Sequence, residues 1–296
     1  MQTIKKLFAL ICAAAILAGC LCLSALADGG TDAFIEAATE PTVFTCTEVP
    51  LYSDIDDRYI GSGFVVGSTT YVPLLTFTEF VLGEPCRVQW NQASGTATIT
   101  TDDLYISVTM SLSCMVANGR YIYLEGGAYN INGTILVPIR ELAKVFSMEP
   151  EWDGERWAVY LDTEDAEIFA SGAEFYNADD LYWLSHVIYS EAGNQPLEGM
   201  IGVGNVVLNR AGEDSYRFAD TIKGVIFQEG QFDVVPSGAI YMEPNERSVV
   251  AAKLCLEGYN TVGESKWFMN PRIGMADWFE QNATLVAVIG DHNFYA

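Results

Sequence analysis

The sequence predicts an α+β protein. A strand-rich N-terminal domain with a duplicated β-helix-β-β unit is followed by a mainly helical domain with a small antiparallel sheet. Three observations predict this fold class. One strand-and-helix pattern occurs twice in the first half of the chain. Apolar residues recur at helical spacing from about residue 179. Two strand-like stretches, 266–269 and 285–294, lie near the C-terminus.

Composition limits the classes of partner. Half of the 296 residues are hydrophobic, so the chain has room for two domains with real cores. Its 15 Lys and Arg residues stand against 39 Asp and Glu residues, for a net charge of -24. Such a surface repels nucleic acid and anionic membrane, and we predict neither as a partner. Most acidic surfaces serve only to keep a protein solvated, and we prefer this interpretation here. The alternative is that the acidic surface binds calcium or the cationic amines of a cell wall.

The N-terminus has the pattern of a signal peptide over residues 1–27. Two lysines precede a long apolar run, and Ala25-Leu26-Ala27 gives the small-x-small pattern that signal peptidase cuts. Residues 28–44 are predicted to be a tether, and the protein to be secreted or associated with the cell wall. Two alternatives stay open. The box that ends at Cys20 resembles a lipoprotein processing site, and the apolar run is long enough to remain as a membrane anchor.

Four cysteines follow the predicted signal peptide, and the sequence does not choose among their three possible pairings. Buried free thiols are as good an interpretation as disulfides. No CxxC motif and no Cys/His cluster has the spacing of metal ligands, so we predict neither a metal site nor a cofactor. The four are Cys46, Cys86, Cys114 and Cys255.

The predicted N-terminal domain, residues 45–163, contains the same unit twice. Each copy has a strand ending in Pro, a helix directly after it, a strand ending at Trp, a turn and another strand. Pro suits a helix start because the first turn needs no N–H from it. Asn-Gly pairs between the copies predict hairpins at Asn118-Gly119 and Asn132-Gly133. The pieces are 71–73, 74–82, 87–90 and 96–100 in the first copy, and 136–138, 139–148, 151–152 and 157–161 in the second.

With these paired units the domain resembles the copper amine oxidase N-terminal-like domain, a module of exported proteins in Gram-positive bacteria. Residues 45–163 contain no histidine, so the name does not bring a copper site to this chain. The resemblance implies either a module that attaches the protein to the cell wall or a scaffold with no ligand. Residues 164–178, which are acidic and irregular, are predicted to be a linker.

The second predicted domain, residues 179–296, begins with a helix that carries the candidate catalytic residue. Asp179-Asp180 suits the cap of a helix that starts at Leu181. Apolar residues follow at helical spacing, and Glu191, three residues after Ile188, extends their face. A carboxylate on such a face is either paired or has a raised pKa. The alternative is that the helix ends before Glu191, whose side chain then meets water.

Short motifs follow one another in order through this domain: 185–192, 203–210, 221–226, Gly230-Gln231-Phe232, Trp267-Phe268, Asn270-Pro271 and 289–295. Each is weak by itself, but their order and spacing together are specific. They resemble the spore-cortex-lytic cell wall hydrolase family over nearly all of residues 179–296.

The resemblance implies a small, lysozyme-like domain that cleaves peptidoglycan between muramic acid and glucosamine, in the spore cortex or in cell wall turnover. It implies a lytic transglycosylase with Glu191 as its catalytic acid. The family commonly has Arg-Gly-Glu where this chain has Gly193-Asn194-Gln195, so a second close glutamate is absent. An ordinary glycosidase needs two carboxyl groups. A transglycosylase needs one, because the C6 hydroxyl of muramic acid takes the place of water.

Two alternatives stay open for the function. In the first, water cleaves the same bond with help from an acid such as Asp233. In the second, the chain is a non-catalytic cell-wall-binding protein, since residues 193–195 depart from the family pattern. Glycan strands of peptidoglycan are the predicted partner, with possible attachment to the wall through the N-terminal domain. The sequence does not identify protein regulators.

The surroundings of Glu191 supply further candidates. We expect an apolar wall that raises its pKa and includes Tyr189 or Phe232. His292 is either an orienting group beside the cleft or a structural residue. His186 lies five residues before Glu191, which places it on another side of the helix, and we predict a structural role for it.

Three amide side chains are candidates to bind sugar hydroxyl or acetamido groups. They are Gln231, Asn209 and Asn270. Asn and Gln side chains also commonly satisfy turns and backbone groups, so this structural role is the alternative for each of them.

Overall fold

The computed structural model describes residues 46–214, 217–272, 279 and 281–296. The predicted signal peptide and tether lie outside these residues. Within the described ranges, no helix is long and apolar enough to cross a membrane. The fold class is confirmed as α+β, with a strand-rich N-terminal region followed by a helical domain with a small sheet.

The elements alternate between strands and short helices in the first half and are mainly helical in the second. Up to residue 163 they are β1 Thr47–Ser53, β2 Tyr59–Val66, β3 Thr69–Pro73, α1 Leu74–Leu82, β4 Arg87–Asn91, β5 Thr96–Thr100, β6 Tyr105–Thr109, β7 Cys114–Ala117, β8 Arg120–Tyr123, β9 Tyr129–Ile131, β10 Thr134–Pro138, α2 Ile139–Lys144, β11 Pro150–Asp153 and β12 Ala158–Leu161. Beyond it they are α3 Gly172–Phe175, α4 Ala178–Ala192, α5 Leu197–Ala211, α6 Ile222–Phe227, a 3-10 turn Ala239–Tyr241, α7 Glu246–Leu256, β13 Trp267–Met269, β14 Leu285–Ile289 and β15 His292–Tyr295.

Two sheets form the N-terminal domain. The first has seven strands in the order β11-β12-β1-β2-β3-β10-β9, and the second is the meander β4-β5-β6-β7-β8. In the first sheet β1 pairs with β12 in parallel, which joins the start of the domain to its end. The apolar faces of these strands enclose one core with α1 and α2.

The two copies of the predicted unit lie next to each other, because β3 and β10 pair in antiparallel. Pro73 and Pro138 are the N-cap residues of α1 and α2. The second helix ends at Lys144, earlier than the predicted Met148. Tight turns replace its last residues, and Ser147 there has a positive φ of 56°.

Both predicted Asn-Gly hairpins are present. Asn118 and Gly119, at φ 45° and 81°, join β7 to β8, and Asn132 and Gly133, at φ 52° and 87°, join β9 to β10. A two-residue turn with positive φ at both positions matches the right-handed twist of paired strands, and Asn and Gly adopt it at low cost.

The predicted linker, residues 164–178, is docked on the N-terminal domain. The N–H of Phe169 donates to the carbonyl of Val145 at 2.9 Å, and that of Gly172 to the carbonyl of Asn118 at 2.8 Å. The short helix α3 follows within this segment. The chain therefore reaches α4 along a defined path.

Helix α4 starts earlier than predicted. Its N-cap is Asn177, whose side-chain oxygen accepts the N–H groups of Asp179 and Asp180 at 2.9 and 3.1 Å. The two aspartates occupy the first turn, where negative charge interacts favourably with the helix dipole. The helix runs through Glu191 to Ala192.

Helices α4, α5 and α7 pack closely around the core of the second domain. Gly204 on α5 permits this, because a Cβ there would lie 2.6 Å from the Cys255 Sγ and 2.9 Å from a methyl group of Ile188. The sheet β13-β15-β14 closes the domain, and Phe294 of β15 is fully buried. This packing fixes the end of α4 that carries Glu191.

The N-terminal and second domains meet at the end of α7. The Glu257 carboxylate accepts Nε and Nη2 of Arg120 at 2.9 and 2.6 Å and the hydroxyl of Tyr176 at 2.7 Å. Only 14% of the Arg120 side chain and 10% of the Glu257 side chain are exposed. Tyr123 stacks on Tyr259 beside them, with ring centroids 3.6 Å apart. These directional contacts hold the two domains in one orientation.

Three of the cysteines are free thiols. Cys114 and Cys255 are buried and Cys86 is half-buried. The Cys255 thiol donates to the carbonyl of Ile201 at 3.3 Å, and burial raises its pKa. Free thiols are therefore the correct interpretation at these three positions, and two of the three are buried.

Candidate active site

Glu191 lies in the last turn of α4 and is partly buried. The loss of water around its carboxyl group raises its pKa from 4.5 to about 7. Burial favours the protonated form of a carboxylic acid, because an ionised group loses more hydration energy. Glu191 is thus a carboxyl group that holds a proton near neutral pH.

Two charged side chains act on Glu191 in opposite directions. The negative charge of Asp233 adds to the rise in the pKa of Glu191, and the positive charge of Arg210 opposes it. Asp233 is exposed, whereas Arg210 is only 5% exposed. The site therefore combines one buried acid, one buried cation and one solvated carboxylate.

Arg210 was not identified from the sequence as a residue of the site. Its Nε donates to the carbonyl of Lys266 at 2.7 Å, and its guanidinium lies 5.2 and 5.1 Å from the ring centres of Phe218 and Phe232. Its Nη1 is buried and has no hydrogen-bond partner among the described residues. Burial lowers the pKa of Arg210 to about 10, so it remains charged at neutral pH. The sequence contained a signal for this role, because Arg210 follows Val203 by seven residues and so places a cation on the apolar face of the same helix.

The two aromatic candidates are at different depths. Phe232 is 5% exposed and packs against Arg210 and Phe268. Tyr189 is half-buried, and its ring covers Gly193, where a Cβ would lie 2.8 Å from the Tyr189 Cδ2. Phe232 therefore supplies apolar surface on the Arg210 side of the site, and Tyr189 covers the end of α4.

Two of the three amide candidates have backbone partners. The Asn209 Nδ2 donates to the carbonyls of Gly263 and Ser265 at 2.7 and 2.9 Å. The Asn270 Oδ1 accepts the N–H of Arg272 at 3.0 Å in a local turn. Gln231 is half-buried beside Phe232 in the chain. Sugar binding by these three residues stays a prediction.

Gln195 occupies the place of the glutamate that the family commonly has. Its side-chain oxygen accepts the N–H of Asp291 at 2.9 Å, and its Nε2 donates to the side-chain oxygens of Asn194 at 3.0 Å and Asp291 at 3.4 Å. Gln195 is 6% exposed and ties the segment before α5 to the turn between β14 and β15. Its role in the fold is therefore to fix this hairpin.

The two histidines are both buried. The Nδ1 of His186 lies 2.8 Å from the carbonyl oxygen of Ile240, as expected of a structural residue. His292 on β15 packs against Phe268, with ring centroids 5.3 Å apart. Its Nδ1 has no hydrogen-bond partner among the described residues, and burial lowers its pKa. Within the same residues, no cluster of His, Cys, Asp and Glu could hold a metal ion.

Comparison with known proteins supports both domain resemblances. The profile of the Cell Wall Hydrolase family matches residues 194–295, and that of the Copper amine oxidase N-terminal domain matches residues 56–161. Glu191 lies three residues before the first match. The two matches leave the predicted domain boundaries as predictions.

Individual relatives match the second domain. The spore cortex-lytic enzyme of Oceanobacillus iheyensis is 32% identical over 119 residues, which cover 40% of this chain and 42% of the relative. The enzyme of that name from Bacillus subtilis is 31% identical over 40% of this chain and 38% of its own length. This chain thus spans less than half the length of these curated relatives.

A solved structure matches the same region. The catalytic domain of the Bacillus cereus SleB protein is 30% identical, with a TM-score of 0.37, over 41% of this chain and 92% of that domain. The C-terminal region of this chain is a domain of the cell wall hydrolase family, preceded by a copper amine oxidase N-terminal-like domain.

Proposed function

We propose that this chain is an exported enzyme that degrades peptidoglycan in the spore cortex or the cell wall. It cleaves the bond between muramic acid and glucosamine as a lytic transglycosylase. The observation that carries this proposal is the pKa of Glu191, raised to about 7 by burial, next to a match to the cell wall hydrolase family. The names of the relatives, spore cortex-lytic enzymes, support the choice of substrate.

Glu191 acts first as an acid. An acid catalyst has to carry its proton at the pH at which the enzyme works. With a pKa of about 7, about half of the Glu191 carboxyl groups are protonated at pH 7. The proton passes to the glycosidic oxygen while the bond from that oxygen to C1 of muramic acid breaks. The glucosamine side then leaves as an alcohol.

The resulting carboxylate acts as a base. It takes the proton of the C6 hydroxyl of the same muramic acid, whose oxygen bonds to C1 and closes a 1,6-anhydro ring. No water is consumed, and Glu191 ends protonated. The charge of Arg210, which lowers the pKa of Glu191, stabilises the carboxylate between the two steps. Since one carboxyl group performs both steps, Gln195 in place of a glutamate does not prevent the reaction.

We further propose that Tyr189, Gln231 and His292 contact the sugar, with Phe232 as an apolar wall. Tyr189 and Gln231 are half-buried, so each keeps surface that a ligand can reach. The unpartnered Nδ1 of His292 supports a role as an orienting group. Asn209 and Asn270 would contact sugar only through atoms that their backbone partners leave available.

Hydrolysis of the same bond is the second candidate, and Asp233 favours it. This exposed carboxylate is close enough to raise the pKa of Glu191. In that reaction Asp233 would take a proton from water as the water attacks C1. An inverting hydrolase uses such a pair of carboxyl groups, one as the acid and the other as the base that activates water.

The product of digestion decides among these functions. Purified peptidoglycan is digested in heavy-oxygen water with residues 28–296 and with a Glu191→Gln variant, and the glycan ends are identified by mass spectrometry. A transglycosylase gives anhydro ends, one water lighter than reducing ends and free of the heavy isotope. Hydrolysis gives reducing ends that carry it. If both proteins bind the wall and neither cuts it, the chain is a non-catalytic wall-binding protein.

A further inference from the structure

Two exposed tryptophans lie beside a cavity on the N-terminal domain. Trp152 and Trp157 are 43% and 55% exposed, and their rings meet edge to face with centroids 5.1 Å apart. Both line a cavity of about 520 Å³, and all of the residues around it belong to this domain. The cavity is therefore separate from the proposed catalytic site.

The internal repeat provides a comparison for these tryptophans. Trp152 corresponds to Trp90 of the first copy, and each is followed by the same turn. The Asn91 Oδ1 accepts the N–H groups two and three residues ahead at 3.0 and 3.3 Å, and the Asp153 Oδ1 does so at 2.9 and 3.0 Å. Four residues after Asn91 and Asp153, the first copy has Gly95 and the second has Trp157.

Trp157 is a costly residue at this position. Its φ is 53° and that of Gly95 is 62°, so both turns need the left-handed conformation. Glycine adopts this conformation freely, whereas a bulky side chain is strained there. The ring of Trp157 is also mostly exposed, so burial in the core does not offset the strain. Since strained residues concentrate at functional sites, this tryptophan points to a ligand.

The other residues of the cavity indicate the class of ligand. Three residues with hydroxyl groups, Ser68, Thr69 and Thr70, line the cavity together with the two tryptophans. The charged residues of the lining are one basic and three acidic ones, Arg140, Glu125, Glu141 and Glu151. A sugar ring offers an apolar C–H face to an aromatic ring and hydroxyl groups to such polar neighbours. The net charge of -24 opposes a polyanionic ligand. A polysaccharide whose muramic acid carboxyl groups are held as amides, and so are uncharged, therefore suits the cavity.

We propose that this cavity binds the glycan strand of peptidoglycan, with Trp152 and Trp157 against the sugar rings. The identity of the glycan rests on the proposed function. The contact of Glu257 with Arg120 holds this second site in a fixed orientation to the domain of Glu191. One polymer bound at two points is retained longer than at either point alone, because the second contact is intramolecular.

The repeat also supplies the test variants. All variants are made in a background protein, residues 28–296 with Glu191→Gln, which should bind the wall without cutting it. Trp157→Gly copies the turn of the first repeat, and Trp90→Ala removes the exposed tryptophan of that repeat as a matched control. Binding is measured on intact peptidoglycan and on glycan strands freed of peptide whose exposed lactyl carboxyl groups have been converted to amides. The melting temperature of each variant is recorded.

Trp157→Gly should weaken binding to both ligands about tenfold, as expected of an aromatic anchor. Its melting temperature should be equal or higher, because the strain is removed. Trp90→Ala should bind like the background. Equal binding by Trp157→Gly and the background would overturn the proposal, and a loss confined to peptide-bearing wall would show that the ligand is peptide. Cleavage by the unsubstituted chain is measured separately, so a failure of the proposed function is distinguishable from a failure of this site.

Discussion

Replacing Glu191 by Gln should stabilise the protein at alkaline pH and have little effect at acid pH. The carboxyl group has a pKa of about 7 in the folded protein and an ordinary value of 4.5. Between these values the folded state holds a proton that the unfolded chain releases. Stability falls with rising pH wherever the folded state binds more protons. Glu191 therefore lowers the free energy of unfolding as pH rises from about 4.5 to about 7, and Gln does not.

The expected magnitude follows from the two pKa values. A difference of one in pKa corresponds to about 1.4 kcal/mol, so the ionised form of Glu191 costs about 3 kcal/mol above pH 7. In a chain of this size 1 kcal/mol moves the melting temperature by about 2–4 °C. The Glu191→Gln variant should therefore melt about 6–12 °C above the wild type at pH 8. This difference should shrink as the pH is lowered to 4.

Thermal melting followed by circular dichroism from pH 4 to pH 8 measures this change. The informative quantity is how the difference in melting temperature between wild type and variant changes with pH, because any other effect of the amide is constant with pH. Glu229→Gln, at an exposed glutamate of the same domain, should give a difference without slope. If the difference in melting temperature between wild type and Glu191→Gln is the same from pH 4 to pH 8, Glu191 is not a buried acid with a raised pKa.

Two further predictions concern the charges around the site and the contact between the domains. Cleavage should be lost above the pKa of Glu191. Asp233→Asn should shift this upper pH limit downwards, because Asp233 raises that pKa, and Arg210→Met should shift it upwards, because Arg210 lowers that pKa. Rate–pH profiles on peptidoglycan measure both, and movement in one common direction would contradict the assignment. Glu257→Ala should lower the free energy of unfolding by about 3–5 kcal/mol, because its arginine partner is left buried. Asp102→Ala, at an exposed ion pair, should change it by less than about 1 kcal/mol in the same urea titration.

The parts of the fold that the sequence predicts well are those with local signals. Pro73 and Pro138 mark helix starts, and the Asn-Gly pairs fix hairpins, because each depends on the backbone of a few adjacent residues. The pairing of β1 with β12 has no such signal, since its partners are about a hundred residues apart and alternation does not identify a partner. The docking of residues 164–178 was missed for the same reason.

The sequence indicates residues of the candidate site where a charged side chain interrupts the apolar face of a predicted helix. That pattern drew attention to Glu191, and the resemblance to the cell wall hydrolase family made it the candidate acid. The same pattern at Arg210 was available but was not used. The partners of Asn209 and Asn270 could not be predicted, because an amide side chain satisfies a distant backbone group as readily as a sugar. Asp233 was predictable only as one acid among many. Its effect on Glu191 depends on how the chain after Phe232 folds back towards α4.

The departure at residues 193–195 has a physical explanation that leaves the candidate catalytic acid, Glu191, intact. Gln195 accepts the backbone N–H of Asp291 and donates to the carboxylate of the same residue at 3.4 Å. A glutamate could accept that N–H, but at this position, where the residue is only 6% exposed, it would set a second carboxylate against the carboxylate of Asp291. The amide provides both a donor and an acceptor, so it fixes the β14–β15 turn without this repulsion. The substitution therefore serves the hairpin that carries His292, and a reaction that needs Glu191 alone is compatible with it.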